Sequence, residues 1–208
     1  MDNNDALLLK VTSDIQREHG CHTIILYGSR ARGDITDVSD YDIIGIKKSG
    51  EFQRVCKIVD GFYLDAFIYS EQYIKSTNDS LIRIKDGKVI CQKDNYGDIL
   101  LKKINDLFLH GVPNTPEWEK NEICVWTRKM LQRAERNDIE GNFRRHWLLH
   151  DLLECYFKIR DIWFLGPKES FKWLKDNDQI TYAVFEVALK YDSSISDIEK
   201  LINRVTEN

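Results

Sequence analysis

The sequence predicts an α+β protein: a mixed β-sheet flanked by helices, followed by a helical bundle. Three observations carry that reading. Short apolar runs stopped by glycine or turn residues recur in the first half, as "HTIILYG", "YDIIGI" and "GFYLDAFIYS". The stretch "HGVPNTPEWEK" then gathers two of the three prolines and marks a boundary between a unit over 1–110 and one over 117–208. Beyond it, almost every segment carries apolar residues at helical spacing.

Element by element, "LLLKVTSDIQREHG" predicts a helix ending at Gly20, with Leu8, Val11 and Ile15 on one face. "HTIILYG" is a buried strand stopped by Gly28, and "YDIIGI" is a second. The third, "GFYLDAFIYS", alternates. Phe62, Leu64, Ala66 and Ile68 face one way, Tyr63, Asp65, Phe67 and Tyr69 the other. "DGKVICQ" is a fourth strand at a sheet edge, and "YGDILLKKINDLFLH" returns to helix. After the boundary, helices are expected at "EWEKNEICVWTRKMLQRAER", "NFRRHWLLHDLLECYFKIRDIWFL", "PKESFKWLKD", "ITYAVFEVALKY" and "ISDIEKLINRV". Tyr156, Phe157, Trp163 and Phe164 are expected in the core of that half.

Composition narrows the function classes. With 42% hydrophobic and 31% charged residues the chain is neither disordered nor fibrous. A net charge of −4 disfavours long nucleic acid as a partner, because phosphate-backbone binders show a basic footprint. The five cysteines are odd in number and lack metal-site spacing, which predicts reduced thiols, mostly core filler, in a cytoplasmic protein. "MDNNDALLLK" reads as neither signal nor transit peptide, and no apolar run is long enough to span a bilayer. No membrane partner is expected, and a homodimer is compatible with the sequence though no motif specifies one.

The chemistry concentrates in "YGSRARGDITDVSDYDI". Asp40 and Asp42 stand two apart at the start of a strand, so their carboxylates point to one spot. Such a pair repels itself unless one protonates or a cation intervenes, and Mg²⁺ binds through one or two carboxylates plus substrate phosphates. Asp65, on the non-aliphatic face of the third strand, joins them if the two strands are neighbours. Three carboxylates suit a site for two Mg²⁺ ions that activates a hydroxyl and holds a triphosphate. At the other end of the stretch, the Gly28-Ser29 turn lets backbone approach an anion and adds a hydroxyl donor. Of Arg30 and Arg32, two apart on a helix, one is expected to reach the ligand, and Arg32 is the candidate. Ser39, which opens the Ser-Asp-x-Asp group, is placed on the nucleotide side. Singly these signals are common, and Asp-x-Asp often marks a solvated turn. The ordered set is the informative feature.

That set, "GSRARGDITDVSDYDI" followed by "YLDAFIY", resembles the polymerase-beta-like nucleotidyltransferase superfamily, over residues 24–68. The helical half more loosely resembles the small bacterial two-domain transferases that modify aminoglycosides and lincosamides. The resemblance implies transfer of a nucleoside monophosphate, AMP from ATP, to an acceptor hydroxyl with release of pyrophosphate. By it, Gly28 and Ser29 hold the triphosphate and Asp40 and Asp42 bind Mg²⁺. Asp65 completes the metal site or takes the acceptor proton. It also implies a helical-domain lysine on the triphosphate, for which Lys172 in "GPKESFKWL" is the candidate, with Arg160 as a substitute. The acceptor classes it admits are a small molecule such as an aminoglycoside, or a protein, as in nucleotidylating antitoxins. A non-catalytic nucleotide-binding module is the third reading.

"HWLLHDLLE" places His146, His150 and Glu154 on one helical stripe, but Trp147 stands where the zinc-protease pattern needs glutamate. It reads as a helix face. Glu122, Asp151 and Glu154 are candidates for an auxiliary base, although helix-surface carboxylates are usually only solvated.

Overall fold

A computed structural model describes residues 6–76 and 79–207. The chain divides into two compact units, Met1–His110 and Gly111–Asn208. The first contains α1 (Ala6–His19), β1 (Thr23–Tyr27), α2 (Gly28–Arg32), β2 (Tyr41–Lys47), β3 (Gln53–Val59) and β4 (Phe62–Ser70). After these come α3 (Glu71–Ser76), a 3-10 helix (Asp79–Ile84), β5 (Lys88–Cys91) and α4 (Tyr96–His110). The strands form one mixed sheet in the order β3-β4-β2-β1-β5. β2 and β4 are parallel, and the other neighbours are antiparallel.

The sheet core follows from the apolar runs. All five residues of β1 are buried, and β2 buries all but its second and last. On one face Ile24, Leu26, Ile43, Leu64, Ala66 and Ile68 pack with Leu8, Val11 and Ile15 of α1. Full burial of a large aliphatic side chain contributes about 1.5–3 kcal/mol, so this layer fixes which face of every strand is turned inward. The opposite face carries Asp42 of β2 and Asp65 of β4.

One strand was absent from the sequence expectation. β3 pairs antiparallel with β4 along its full length, from Gln53↔Ile68 to Val59↔Phe62. It is an edge strand, largely exposed, with only Val55 and Val59 half-buried, and polar residues interrupt any apolar run. The signal for it lay in the connection. Asp60 (φ 49°) and Gly61 (φ 87°) form a two-residue turn with both residues left-handed, the geometry that Asp-Gly favours in hairpins. β5 does lie at the opposite edge, beside β1. The cysteines are all free thiols, but only Cys21 is buried and Cys56 is exposed on β3. Cys91 and Cys155 are partly buried and pack against the two cores, so three of the five serve as the core filler expected.

The second unit contains α5 (Glu117–Ala134), α6 (Ile139–Ile159), α7 (Pro167–Asn177), α8 (Gln179–Ala188) and α9 (Ile195–Thr206). Its core joins Met130, Leu148, Leu152, Tyr156, Phe157, Leu174, Phe185, Ile198, Leu201 and Ile202. Helix α6 is shifted toward the N-terminus relative to expectation. Asp138 caps its start by accepting a hydrogen bond from the Gly141 amide at 2.7 Å, and Asp161, at φ 54°, lies beyond its end. The apolar "IWFL" that follows is irregular rather than helical. Among the described residues no helix is long and apolar enough to cross a membrane.

Two polar residues tie the bundle together. Arg160 donates to the carbonyls of Val205 (2.9 Å), Arg204 (3.1 Å) and Glu207 (2.6 Å) and lies over the Tyr156 ring. Asp178 caps α8 and accepts from the Thr181 amide (3.1 Å), the Thr181 hydroxyl (2.7 Å), Tyr156 Oη (2.8 Å) and Arg204 (3.2 Å). Burial alone would raise the pKa of Asp178, but these donors outweigh it and hold the carboxyl well below its usual range. A depressed folded-state pKa stabilises above the unfolded value, about 3.9 for Asp, and that contribution disappears as pH falls through the folded value. Asp178→Asn is therefore expected to lower unfolding free energy by about 1–3 kcal/mol at neutral pH. In urea titrations, the gap between wild type and variant should narrow as the solution is acidified below pH of about 4.

Candidate active site

The site is assembled where β1 ends and β2 and β4 begin. In the register of the sheet Tyr27 pairs with Asp42, so the residue after Tyr27 reaches the Asp42 carboxylate. That residue is Gly28, with φ +71°. A Cβ there would collide with Asp42 Oδ2 and lie 3.0 Å from its Cγ. Glycine is required twice, for the dihedral and for the close approach. The chain then makes one turn of helix, α2, which closes as the Gly33 amide donates to the Ser29 carbonyl at 2.9 Å. With five residues, α2 has little dipole, so what this end offers an anion is confined to the individual donors of Gly28 and Ser29.

The two arginines of α2 take different partners. Arg30 turns back on the chain. Its Nη2 donates to the Ser39 carbonyl at 2.9 Å and its Nε to the Asp40 carbonyl at 3.1 Å, with the guanidinium 3.9 Å from the Tyr41 ring centroid. It thus fixes the backbone from which Asp40 and Asp42 project. Arg32 pairs with Asp34 at 3.3 Å and lies near enough to Asp42 to act on its charge. Ser39 is buried, and its hydroxyl accepts from the Thr36 amide at 2.8 Å, so it locks the turn that precedes the carboxylates.

Parallel pairing of β2 and β4 sets Asp42 level with Asp65. Because strand side chains alternate, both lie on the face shared by Phe67 and Tyr69 of β4. Asp42 is half-buried. Burial, and then the charges of Asp40 and Asp65, push its pKa up, while Arg83 and Arg32 partly offset them. Asp65 is neutralised differently. Arg54 of β3 grips it in a two-pronged pair, with Nε to Oδ1 at 2.8 Å and Nη2 to Oδ2 at 2.8 Å. Asp40 is exposed. Among the described residues no group of three or more His, Cys, Asp or Glu side chains is arranged as a metal-holding cluster.

Gly28, Ser29, Arg32, Asp40, Asp42 and Asp65 thus belong to one region of the first unit. Lys172 is exposed on α7 of the helical unit. Arg160 is committed to the carbonyls at the end of α9. His150 is exposed and contacts Asp151 at 2.8 Å. Sequence reasoning missed two arginines. Arg54 was hidden with β3, although the Asp60-Gly61 turn would have paired that strand with β4 and brought Arg54 opposite Phe67. Arg83, on the 3-10 helix, stands over the Phe67 ring at 4.3 Å from its centroid and donates to Tyr69 Oη at 3.3 Å. A segment this short has no periodicity to expose it.

No protein-family model matches the chain, and no curated protein sequence is significantly similar to it. Among solved structures, the chain is similar to a nucleotidyltransferase-like protein from Exiguobacterium sibiricum. The identity is 15%, the TM-score is 0.44, and the alignment covers 96% of this chain and 74% of the other. A functional reading therefore rests on the residues themselves.

Gly28→Ala is expected to destabilise the protein by about 2 kcal/mol or more, since a left-handed backbone alone costs roughly 1–2 kcal/mol in a residue with a Cβ. Gly33→Ala, also left-handed but with nothing within 4 Å of its added Cβ, should cost less in the same denaturation experiment. Asp40→Asn removes a repelling charge and should lower the pKa of Asp42, as read from its carboxyl carbon in an NMR pH titration.

Proposed function

We propose that the protein is a nucleotidyltransferase that moves a nucleoside monophosphate, AMP from ATP, onto a hydroxyl of a small molecule such as an aminoglycoside-like antibiotic. One observation carries this reading: the Gly28 backbone lies directly against the Asp42 carboxylate, and Asp65 stands abreast of it on the next strand. A phosphate-compatible turn and an acidic pair at van der Waals distance make one site for a metal-bound triphosphate.

The donor set fits Mg²⁺. Asp42 carries negative charge that burial and its neighbours make unfavourable, and a hard divalent ion relieves that through oxygen ligands. Because Arg54 occupies both oxygens of Asp65, the residues that would hold the ion are Asp40 and Asp42. This proposal therefore uses one ion rather than two. Bound there, Mg²⁺ would neutralise phosphate oxygens and favour ionisation of the attacking hydroxyl. The chain supplies the remainder. The Gly28 amide and Ser29 hydroxyl donate to phosphate oxygens, and Arg32 adds charge beside Asp42. The acceptor oxygen bonds to the α-phosphorus, the bond to the β-phosphate oxygen breaks, and pyrophosphate leaves. The hydroxyl proton passes to Asp65 once Arg54 shifts from it. Positioning and charge neutralisation supply most of the rate.

A protein acceptor uses the same chemistry. A non-catalytic nucleotide-binding role has one observation in its favour, the grip of Arg54 on Asp65.

Incubation with α-labelled ATP, GTP, CTP or UTP, Mg²⁺ and an acceptor panel or cell extract should transfer label and release pyrophosphate. Asp42→Asn should reduce turnover by more than the roughly 10- to 100-fold that loss of an outer-shell metal partner costs, with unchanged circular dichroism. Full turnover in that variant, or no pyrophosphate with any acceptor, would refute the enzymatic reading.

A further inference from the structure

The face of the sheet that presents Asp42 and Asp65 also presents a cation with no carboxylate of its own. In the 3-10 helix, Leu81, Ile82 and Ile84 are buried while Arg83 between them is exposed. The anchoring of its neighbours fixes where Arg83 leaves the backbone. Its guanidinium then lies 4.3 Å from the Phe67 ring centroid and 5.6 Å from that of Tyr27, and its Nη2 donates to Tyr69 Oη at 3.3 Å. Among the described residues that is its one hydrogen bond, and it has no ion pair. The other arginines near the carboxylates are engaged: Arg32 pairs with Asp34, Arg54 with Asp65, and Arg30 donates to the carbonyls of Ser39 and Asp40.

An arginine held against aromatic rings has lost most of its rotamer freedom before any ligand arrives, and its rigid fork matches the oxygens of a phosphate or carboxylate. The Phe67 and Tyr27 rings pack against it and only one of its donors is used within the protein, so the remaining donors are those a ligand meets. Arg54 adds a second guanidinium 5.0 Å from the same Phe67 centroid. Because Arg54 is already neutralised by Asp65, Arg83 is the charge that this flank offers to an anion.

We propose that Arg83, seated on Phe67 and Tyr27, is an anion-binding subsite beside Asp42 that takes a phosphate or carboxylate group. The proposal rests on the nucleotidyltransferase reading for the source of that anion: either the triphosphate of the nucleotide or an anionic group on the acceptor.

The test uses the full chain with Mg²⁺ at low salt and two inorganic probes, tripolyphosphate and orthophosphate, by calorimetry. Arg83→Gln is expected to weaken tripolyphosphate, orthophosphate or both by about 10- to 100-fold, the range for loss of a hydrogen bond to a charged group. Arg83→Lys should recover part of the loss, keeping the charge without the fork. Saturation with a non-hydrolysable ATP analogue separates the sources. Arg83-dependent orthophosphate binding that survives saturation assigns the subsite to the acceptor, and binding that disappears assigns it to the nucleotide. In wild-type protein, phosphate should protect Arg83 from phenylglyoxal, read by mass spectrometry, which keeps the test decisive if a variant misfolds. Equal affinity for both probes in folded Arg83→Gln, or no protection in wild type, overturns the proposal. Transfer that still depends on Asp42 while Arg83→Gln binds normally removes the subsite alone. Arg83-dependent phosphate binding without any transfer removes the enzymatic reading alone.

Discussion

Asp42 and Asp65 occupy the same level of two parallel neighbouring strands, which lie about 4.8 Å apart in any sheet. Two like charges at that separation repel by roughly 3 kcal/mol at the effective dielectric of a protein surface. The surrounding residues come from β3, the 3-10 helix and α2 and bear on that repulsion in different ways. Arg54 from β3 neutralises Asp65 by direct pairing. Arg83 from the 3-10 helix and Arg32 from α2 act on Asp42 through space. At the end of β1, Gly28 contributes the absence of a side chain, which leaves one side of the Asp42 carboxylate to backbone. The site is thus a charge arrangement built into sheet register.

How far the sequence revealed this depended on the kind of signal each element carries. β1, β2 and β4 are buried strands, and burial demands the apolar runs by which they were recognised. Alternation put Asp65 on the non-aliphatic face of its strand, and its meeting with Asp42 was expected only if the two strands were neighbours, as they are. β3 escaped because an edge strand needs few apolar residues and its polar side chains break the pattern; its turn, Asp60-Gly61, was the legible part. Arg83 escaped for a different reason: its position depends on aromatic rings from β1 and β4 that are far from it in sequence. Helix α6 was recognised, but its ends were not, because Asp138 and Asp161 act through local hydrogen bonding and backbone geometry.

Charge in the helical unit is largely structural. Asp178 and Arg204 meet at the start of α8, and Arg160 holds the carbonyls that end α9. These residues look functional in a sequence because they are ionisable and lie among aromatics. In the structure their donors and acceptors are matched within the bundle. Lys172, exposed on α7, carries no such duty.

The hold of Arg30 on the carbonyls of Ser39 and Asp40 has a consequence for how this architecture can diverge. The chain between α2 and β2 runs over the surface, with Ile35 and Val38 exposed by 54% and 84%, and it returns to a point that Arg30 and the Ser39 turn define. Aim of the carboxylates is therefore uncoupled from the length and composition of this excursion. Doubling a flexible loop costs only about 0.6 kcal/mol in closure entropy. Insertions here would add surface beside the carboxylates while leaving their placement intact, making this loop a place where the rim of the site can change on an unchanged scaffold.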